Sequence, residues 1–285
     1  MGNCMIGFPN RIDSATLSGG SWSATLPRAN IQNKVLGKVA RSSDAALAST
    51  KFDMDLGAAK NIRLISVINH NCSLASLIRI RGASDSGFTA VLYDSGWVDV
   101  WAPVYSSLVL EWEDDNWWDG KYTDEQRAGY TSTFVQAMAA NVLARYWRIE
   151  IDDTANAAGY VQIGRVFIGS AWQPVYGMDF GATLGWETKT AIQEALGGAE
   201  YFQRRTPYRV AQFQTNLMSI DEGLGNAFDI QRRAGIDAEV LWVQDPADTL
   251  HALRRRFLGR MRQLSPMLYP YANAHSTAFE IKELL

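Results

Sequence analysis

The stretch Phe52-Asp53-Met54-Asp55-Leu56-Gly57, with Ile62-Arg63-Leu64-Ile65-Ser66-Val67-Ile68 just behind it, decides the fold class. Phe52, Met54 and Leu56 alternate with two aspartates, the period of a strand with one face in the core and one in water. Gly57 opens a turn. Residues 62–68 look covered on both faces, as an interior strand of a sandwich is. A second pair of segments far down the chain answers the first. It is Ala144-Arg145-Tyr146-Trp147-Arg148-Ile149-Glu150-Ile151, followed by residues 159–168. We read the two pairs as two halves of one β-sandwich. Between them, Leu77-Ile78-Arg79-Ile80-Arg81 and residues 89–93 add short strands around the turn cluster Gly82-Ala83-Ser84-Asp85-Ser86-Gly87. Strands this short at this spacing predict an all-β sandwich.

A chain of 285 residues, 47% hydrophobic and 20% charged, has the length of two domains. We place a sandwich at 1–170, with a Trp-rich insertion at 97–143, and a second, β-rich domain at 171–285. Trp172-Gln173-Pro174 marks the seam. Residues 188–213 read as two long polar strands joined at Gly197-Gly198, a hairpin with little apolar face of its own. Leu217, Ile220, Leu224, Phe228 and Ile230 fall at helical spacing over 216–234, and Gly235 would end that helix. A buried strand over 238–243 and an alternating one over 279–284 follow. Leu250, Leu253, Phe257 and Met261 would share a face of a helix over 246–263.

The net charge of −3 is balanced between the halves, so no global field recruits nucleic acid or an anionic membrane. No apolar run approaches the ~18 residues of a membrane span. The start of the chain, residues 1–9, lacks the basic and apolar regions of a signal peptide. Gly2 with Cys4 only faintly resembles a myristoylation signal, since residue 6 is Ile. Two cysteines, Cys4 and Cys72, exclude a disulfide framework and a Cys-rich zinc site, and read as free thiols of a protein folded in a cytoplasm. The three histidines, His70, His251 and His275, have no partner at metal-ligand spacing. His70, within Asn69-His70-Asn71, reads as a loop-tip residue. No nucleophile elbow or Gly-rich phosphate loop is present. We therefore assign no catalytic residue, no cofactor and no metal, and expect a protein that is not an enzyme.

Two surfaces remain as candidates. Trp97, Trp101, Trp112, Trp117 and Trp118 lie in the insertion beside Glu111, Glu113, Asp114, Asp115 and Asp119. Aromatic faces stack on sugars, anchor protein interfaces or simply pack beneath a loop; all three readings stay open. The acidic residues lack the spacing of a calcium loop and read as a solvated loop. The second surface is basic: Lys189, Gln193, Tyr201, Arg204, Arg205, Arg209, Arg255 and Arg260 are the candidate contacts between copies of the chain. The run Arg254-Arg255-Arg256 with Arg260 and Arg262 could touch nucleic acid; given the acidic overall charge, a salt-bridging surface between subunits is the reading we adopt.

The segments 52–57, 77–84 and 144–149 resemble a discoidin-like, galactose-binding-like jelly roll. That resemblance implies binding of sugars, lipids or proteins through loops at one end. The whole chain is similar to the tail-tip or distal tail proteins of long-tailed bacteriophages, through Tyr93-Asp94-Ser95-Gly96-Trp97-Val98-Asp99-Val100-Trp101, residues 159–169, and the order of elements in the back half. That similarity implies a tail-tube-like ring domain at 171–285 and a non-enzymatic virion protein of the tail tip, assembled in the bacterial cytoplasm. It implies a ring of copies, usually six, joining the tail tube protein to hub or fibre proteins of the baseplate. The physical reading agrees: a polar hairpin that cannot stand alone would be stabilised by continuing a neighbour's sheet around a ring. The competing reading is a carbohydrate-binding adhesin that meets a host surface glycan through the Trp-rich loop; a third is a glycan-active enzyme, which would need paired carboxylates from among Glu111, Glu113 and Asp152. None of these readings involves membrane insertion or specific nucleic acid.

Overall fold

The computed structural model describes residues 4–106 and 108–285; Gly2 and the rest of 1–3, with Ser107, lie outside the described residues. The chain is mainly β, and every strand pairing is antiparallel. The front strands are β1 (Met5–Gly7), β2 (Thr16–Ser18), β3 (Ala40–Arg41), β4 (Phe52–His70), β5 (Leu77–Ala83), β6 (Val91–Asp94), β7 (Val98–Asp99), β8 (Thr133–Asp152) and β9 (Gln162–Gly169). The back strands are β10 (Ala171–Trp172), β11 (Thr183–Glu187), β12 (Ala191–Glu194), β13 (Glu200–Gln203), β14 (Tyr208–Met218), β15 (Glu239–Val243), β16 (Arg256–Gln263), β17 (Leu268–Tyr271) and β18 (Ala274–Glu283). They form one sheet in the order β3-β9-β4-β8-β5-β6, a second in the order β10-β1-β15-β16-β18-β14-β11, and a separate ribbon β12-β13.

The two segments that open the sequence reading are direct neighbours. Phe52 faces Ile149 and Met54 faces Trp147 across β4 and β8. On the polar face Asp53 and Asp55 receive two-pronged hydrogen bonds from Arg148 and Arg145, with Arg145 Nε 2.7 Å from Asp55 Oδ1. The alternation of Asp with apolar residues thus fixes register as well as burial. Gly82 lies directly beneath Trp147: a Cβ there would come within 2.9 Å of the indole.

Two boundaries differ from the sequence reading. Gly57 does not end a strand. Its positive φ of 75° lets β4 bulge outward between Asp55 and Lys60, and the strand continues for 19 residues. Its partner β8 begins at Thr133, so the irregular segment stops at 132 rather than 143. Phe52, Met54, Ile65, Val67, Ile149 and Ile168 all join one core, so the long strand pair bends at its bulges and closes the sheet over itself.

The second sheet also recruits the beginning of the chain. β1 pairs with β15 and with β10, so Met5–Gly7 lies in the back sheet although its position in the chain assigns it to 1–170. One face of this sheet carries Phe213, Trp242, Phe257 and Phe279 against the helical stretch 220–234. Ser219 caps that helix by accepting from Glu222 N, and Gly235 ends it at φ 54°. The stretch expected as a helix over 246–263 is helical only at Ala252–Arg255 and continues as β16. Phe257 and Met261 do share the core, but through the two-residue period of a strand between β15 and β18. No helix among the described residues is long and apolar enough to cross a membrane.

The other face of the back sheet meets the sandwich. Leu36, Leu64, Ile68 and Phe167 from the sandwich pack with Met5, Leu241, Val243 and Leu258. Within this seam Arg165 of β9, fully buried, is paired with Glu239 of β15. Arg165 Nη2 also donates to Asp13, and Asn10 links Glu239 to the carbonyl of Val166. Removing one member of a buried pair leaves a charge stranded in a dry site. Glu239→Ala should therefore lower stability by about 3–5 kcal/mol in urea unfolding. Arg165→Met combined with Glu239→Leu should lose markedly less than Glu239→Ala. Equal losses in the two variants would show that the pairing itself matters little.

Candidate functional site

The five candidate tryptophans divide into two groups. Trp101 is buried: its Nε1 donates to Cys72 O at 3.0 Å and its ring lies 5.4 Å from His70. It is core, not platform. Trp112, Trp117 and Trp118 form a cluster of edge-to-face rings with centroids 4.7–5.9 Å apart. Trp112 and Trp118 are 71% and 80% exposed; Trp117 is half-buried. Trp97 stands apart, partly exposed, beside β7. The acidic residues around the cluster shape the loop: Asp114 accepts from Glu111 N and Asp119 from Lys121 N. No group of three His, Cys, Asp or Glu among the described residues is placed to hold a metal ion. Cys4 and Cys72 are buried, and burial pushes the Cys4 thiol up to about 12 and raises that of Cys72 as well.

The basic candidates also divide. Arg209 is 1% exposed and fully engaged: its Nε lies 2.8 Å from Glu283 Oε2, and its Nη1 donates to the carbonyl of Leu253. It is an internal ion pair, not a contact for a neighbour. Arg255 is tied to Asp248, and Arg262 to Glu187 and Glu280. Arg256 donates to the carbonyls of Pro246 and Asp248, closing the loop ahead of its strand. The arginine run is thus dispersed over a strand and its approach rather than gathered on one helix face.

Lys189, Gln193, Tyr201, Arg204 and Arg205 belong to an arm. β11 pairs with β14 from Thr183–Gln212 to Glu187–Tyr208. Beyond that point the two chains continue outward as the β12-β13 ribbon. Arg205 N donates to Thr190 Oγ1 at the junction, and the tip closes through Ala195 N to Ala199 O. Gly198, at φ 80°, makes the turn that Gly197-Gly198 suggests. Residues 191–206 are all exposed. Ile192, Tyr201 and Phe202 are 60%, 64% and 58% exposed, and Leu196 is wholly so. Cross-strand partners lie on one face, which puts Ile192 with Phe202 and Glu194 with Glu200 on the same side, and Gln193 with Tyr201 on the other.

Lys189, Arg205 and Arg260 are brought together around one cavity of about 640 Å³ at the base of the arm, whose floor includes Tyr208 and Leu284. The cavity has a fourth cation that the sequence reading missed, Lys282 of β18, 4.0 Å from the Tyr208 ring centroid. Partial burial, then the neighbouring charges of Lys189, Arg260 and Arg262, push the Lys282 ammonium below its usual range. None of Lys189, Arg205, Arg260 and Lys282 has a carboxylate partner among the described residues. Only the sheet registry joins these positions, and sequence spacing carries no trace of it.

No protein-family model matches this chain, and no curated protein matches it. Among solved structures, it is similar to the lectin-binding domain of lectinolysin complexed with Lewis b, at 10% identity and a TM-score of 0.36, over 57% of this chain and 97% of that domain. It is similar to the family 32 carbohydrate-binding module of Clostridium perfringens NanJ in complex with galactose, at 12% identity and a TM-score of 0.38, over 58% and 99%. It is also similar to a family 89 glycoside hydrolase from Clostridium perfringens, at 13% identity and a TM-score of 0.38; this match spans 57% of the present chain but only 15% of the hydrolase.

The anchoring of the Trp-rich segment has a pH signature. His70 closes β4 as a buried residue, not a loop tip; its Nδ1 accepts from Cys72 N and its ring packs on Trp101. Burial, helped by the nearby Arg127 guanidinium, pushes its pKa down from 6.5 to about 3. Above pH 6.5 the imidazole is neutral in both folded and unfolded chains, and stability is at its full value. As pH falls, the unfolded chain takes up a proton that the folded one refuses until about pH 3, so stability declines through that window. Urea unfolding should show a loss of up to about 1.4 kcal/mol per pH unit between pH 6 and 4 from this group. His70→Gln should remove that part of the slope; an identical slope in the variant would exclude His70 as its source.

Proposed function

We propose that this chain is a non-catalytic structural protein that joins copies of itself into a closed ring through the arm at 188–207. The observation that carries this reading is the arm itself. A two-stranded ribbon is at best marginally stable in water, and this one exposes two aromatic rings, an Ile and a Leu along its length. Such side chains on a projecting ribbon are the anchors of a protein contact. Burying them on an identical copy is a heterologous contact, which closes into a ring when the rotation per subunit divides a full turn. The same geometry suits the tail tip of a long-tailed phage virion, where a ring, usually of six copies, meets the tail tube protein on one side and hub or fibre proteins on the other.

Glu187 and Tyr208 face each other at the arm's base, so residues 188–207 can be replaced by an Asn-Gly turn without breaking the sheet. Native mass spectrometry of the full chain, alone and with its tube protein, should show multimers. The shortened chain should melt at the same temperature and remain monomeric. A full chain that stays monomeric under both conditions would overturn the reading.

A second reading has its own observation, the exposed Trp112 and Trp118. Indole faces in water at a loop tip can stack on sugar rings, which would make the front half a glycan-binding module for a host surface. A glycan array should then show saturable binding that Trp112→Ala with Trp118→Ala abolishes. Binding unchanged by both substitutions, or none at all, would remove it.

A further inference from the structure

Glu194 and Glu200 are directly opposed at the end of the ribbon. Like charges in that position destabilise a strand pair, and neither carboxylate has a cationic partner among the described residues. At the base of the same arm the opposite situation holds: Lys189, Arg205, Arg260 and Lys282 crowd one cavity, and none of the four is ion-paired to an acidic side chain among the described residues. The one acidic side chain lining that cavity, Glu283, is spent on Arg209.

The apolar parts match as well. The acidic pair shares its face with Ile192 and Phe202 and is followed by Leu196 at the tip. The cationic cavity has Tyr208, Leu284 and Leu285 among its lining. One element is an apolar plug edged with two carboxylates, and the other an apolar hollow edged with four cations.

The two cannot meet within one chain. An extended strand advances about 3.4 Å per residue, so Glu194 stands roughly 17 Å from Lys189 along the ribbon. We propose that the arm tip of one copy seats in the basic hollow at the base of the next copy's arm, with Glu194 and Glu200 neutralising the Lys282–Arg260 side. The inference rests on the reading that the chain assembles through its arm, and says where that arm lands. The contact is head-to-tail: each copy offers one plug and one hollow, which leaves none unfilled in a ring.

The test uses the full chain and three charge variants, with assembly read by light scattering behind size exclusion and by native mass spectrometry. Glu194→Lys with Glu200→Lys should raise the concentration for half-assembly at least tenfold. Arg260→Glu with Lys282→Glu should do the same, and an equimolar mixture of the two should recover wild-type assembly, since each plug then finds a hollow of opposite sign. The milder Glu194→Gln with Glu200→Gln, at fully exposed positions, should fold normally and lose most of the salt dependence of assembly. If the Lys variant assembles at the wild-type concentration, or the mixture fails to recover it, this landing site is wrong. The arm-based reading itself would survive that result, provided the shortened chain remains monomeric. If the wild type never assembles, both fall together.

Discussion

The buried pair of Arg165 and Glu239 sets the relation between the two sheets. An apolar seam alone is non-directional, and Phe167, Leu241 and Leu258 could slide past one another by a residue with little change in buried area. A guanidinium cannot slide in this way. Arg165 is fully buried and carries five N–H donors in a fixed planar fork, so a carboxylate must arrive with it in hydrogen-bonding geometry. Glu239 comes from the other sheet, Asp13 from the turn after β1, and Ile31 contributes a carbonyl. Asn10 ties the same group to β9, accepting from Ile168 N while donating to Glu239. One seating of β9 against β15 satisfies all of these bonds, and it sets how the back sheet sits on the sandwich.

A second tie reinforces this orientation from the Trp-rich side. Tyr122 donates to the carbonyl of Leu250, Tyr130 packs edge-on against Trp186, and the Arg209 guanidinium lies 5.2 Å from the Tyr130 ring centroid. The segment between β7 and β8 is therefore only partly a free loop. Its inner half, carrying Trp101 and Tyr122, is a wedge between sandwich and back sheet; its outer half, carrying Trp112 and Trp118, faces water. Close-packed interiors are stiff, whereas the ribbon beyond Glu187 has no core of its own to stiffen it.

Much of the sandwich was legible because its signals are local. The Asp-apolar alternation at 52–56 and the Arg-apolar alternation at 145–149 each specify a strand, and their charges then specify each other. The readings that failed did so where a local pattern has two physical solutions. Gly57 with its positive φ can make a turn or a bulge, and the long-range pairing with β8 selected the bulge. Leu253, Phe257 and Met261 fit a helical stripe, yet Phe257 and Met261 fit a strand's period of two equally well. The slot between β15 and β18 decided it. Arg209 looked like surface because arginine usually is, and Glu283, 74 positions away, was not visible as its partner. The basic hollow was out of reach for the same reason: Lys189, Arg205, Arg260 and Lys282 are neighbours only once three strands are in register.

The ends of the two sheets point the same way as the arm. Unpaired strand edges invite association, and proteins commonly blunt them by keeping edge strands short. Here the strand orders end on β3 and β10, each two residues long, and on β6, four residues long. β11 is the remaining end. It is five residues long, exposed from Thr183 to Trp186, and leads directly into the ribbon. If the protein worked as a monomer, this would be the edge most in need of a charge, a proline or a covering loop; β11 has Glu187 at its far end and, beside it, Trp186 against the Tyr130 ring. An edge left open on the same side as a ribbon with exposed apolar residues has a simple physical account. In the proposed assembly a neighbouring chain would complete it, taking up the pairing hydrogen bonds that β11 offers to water in isolation.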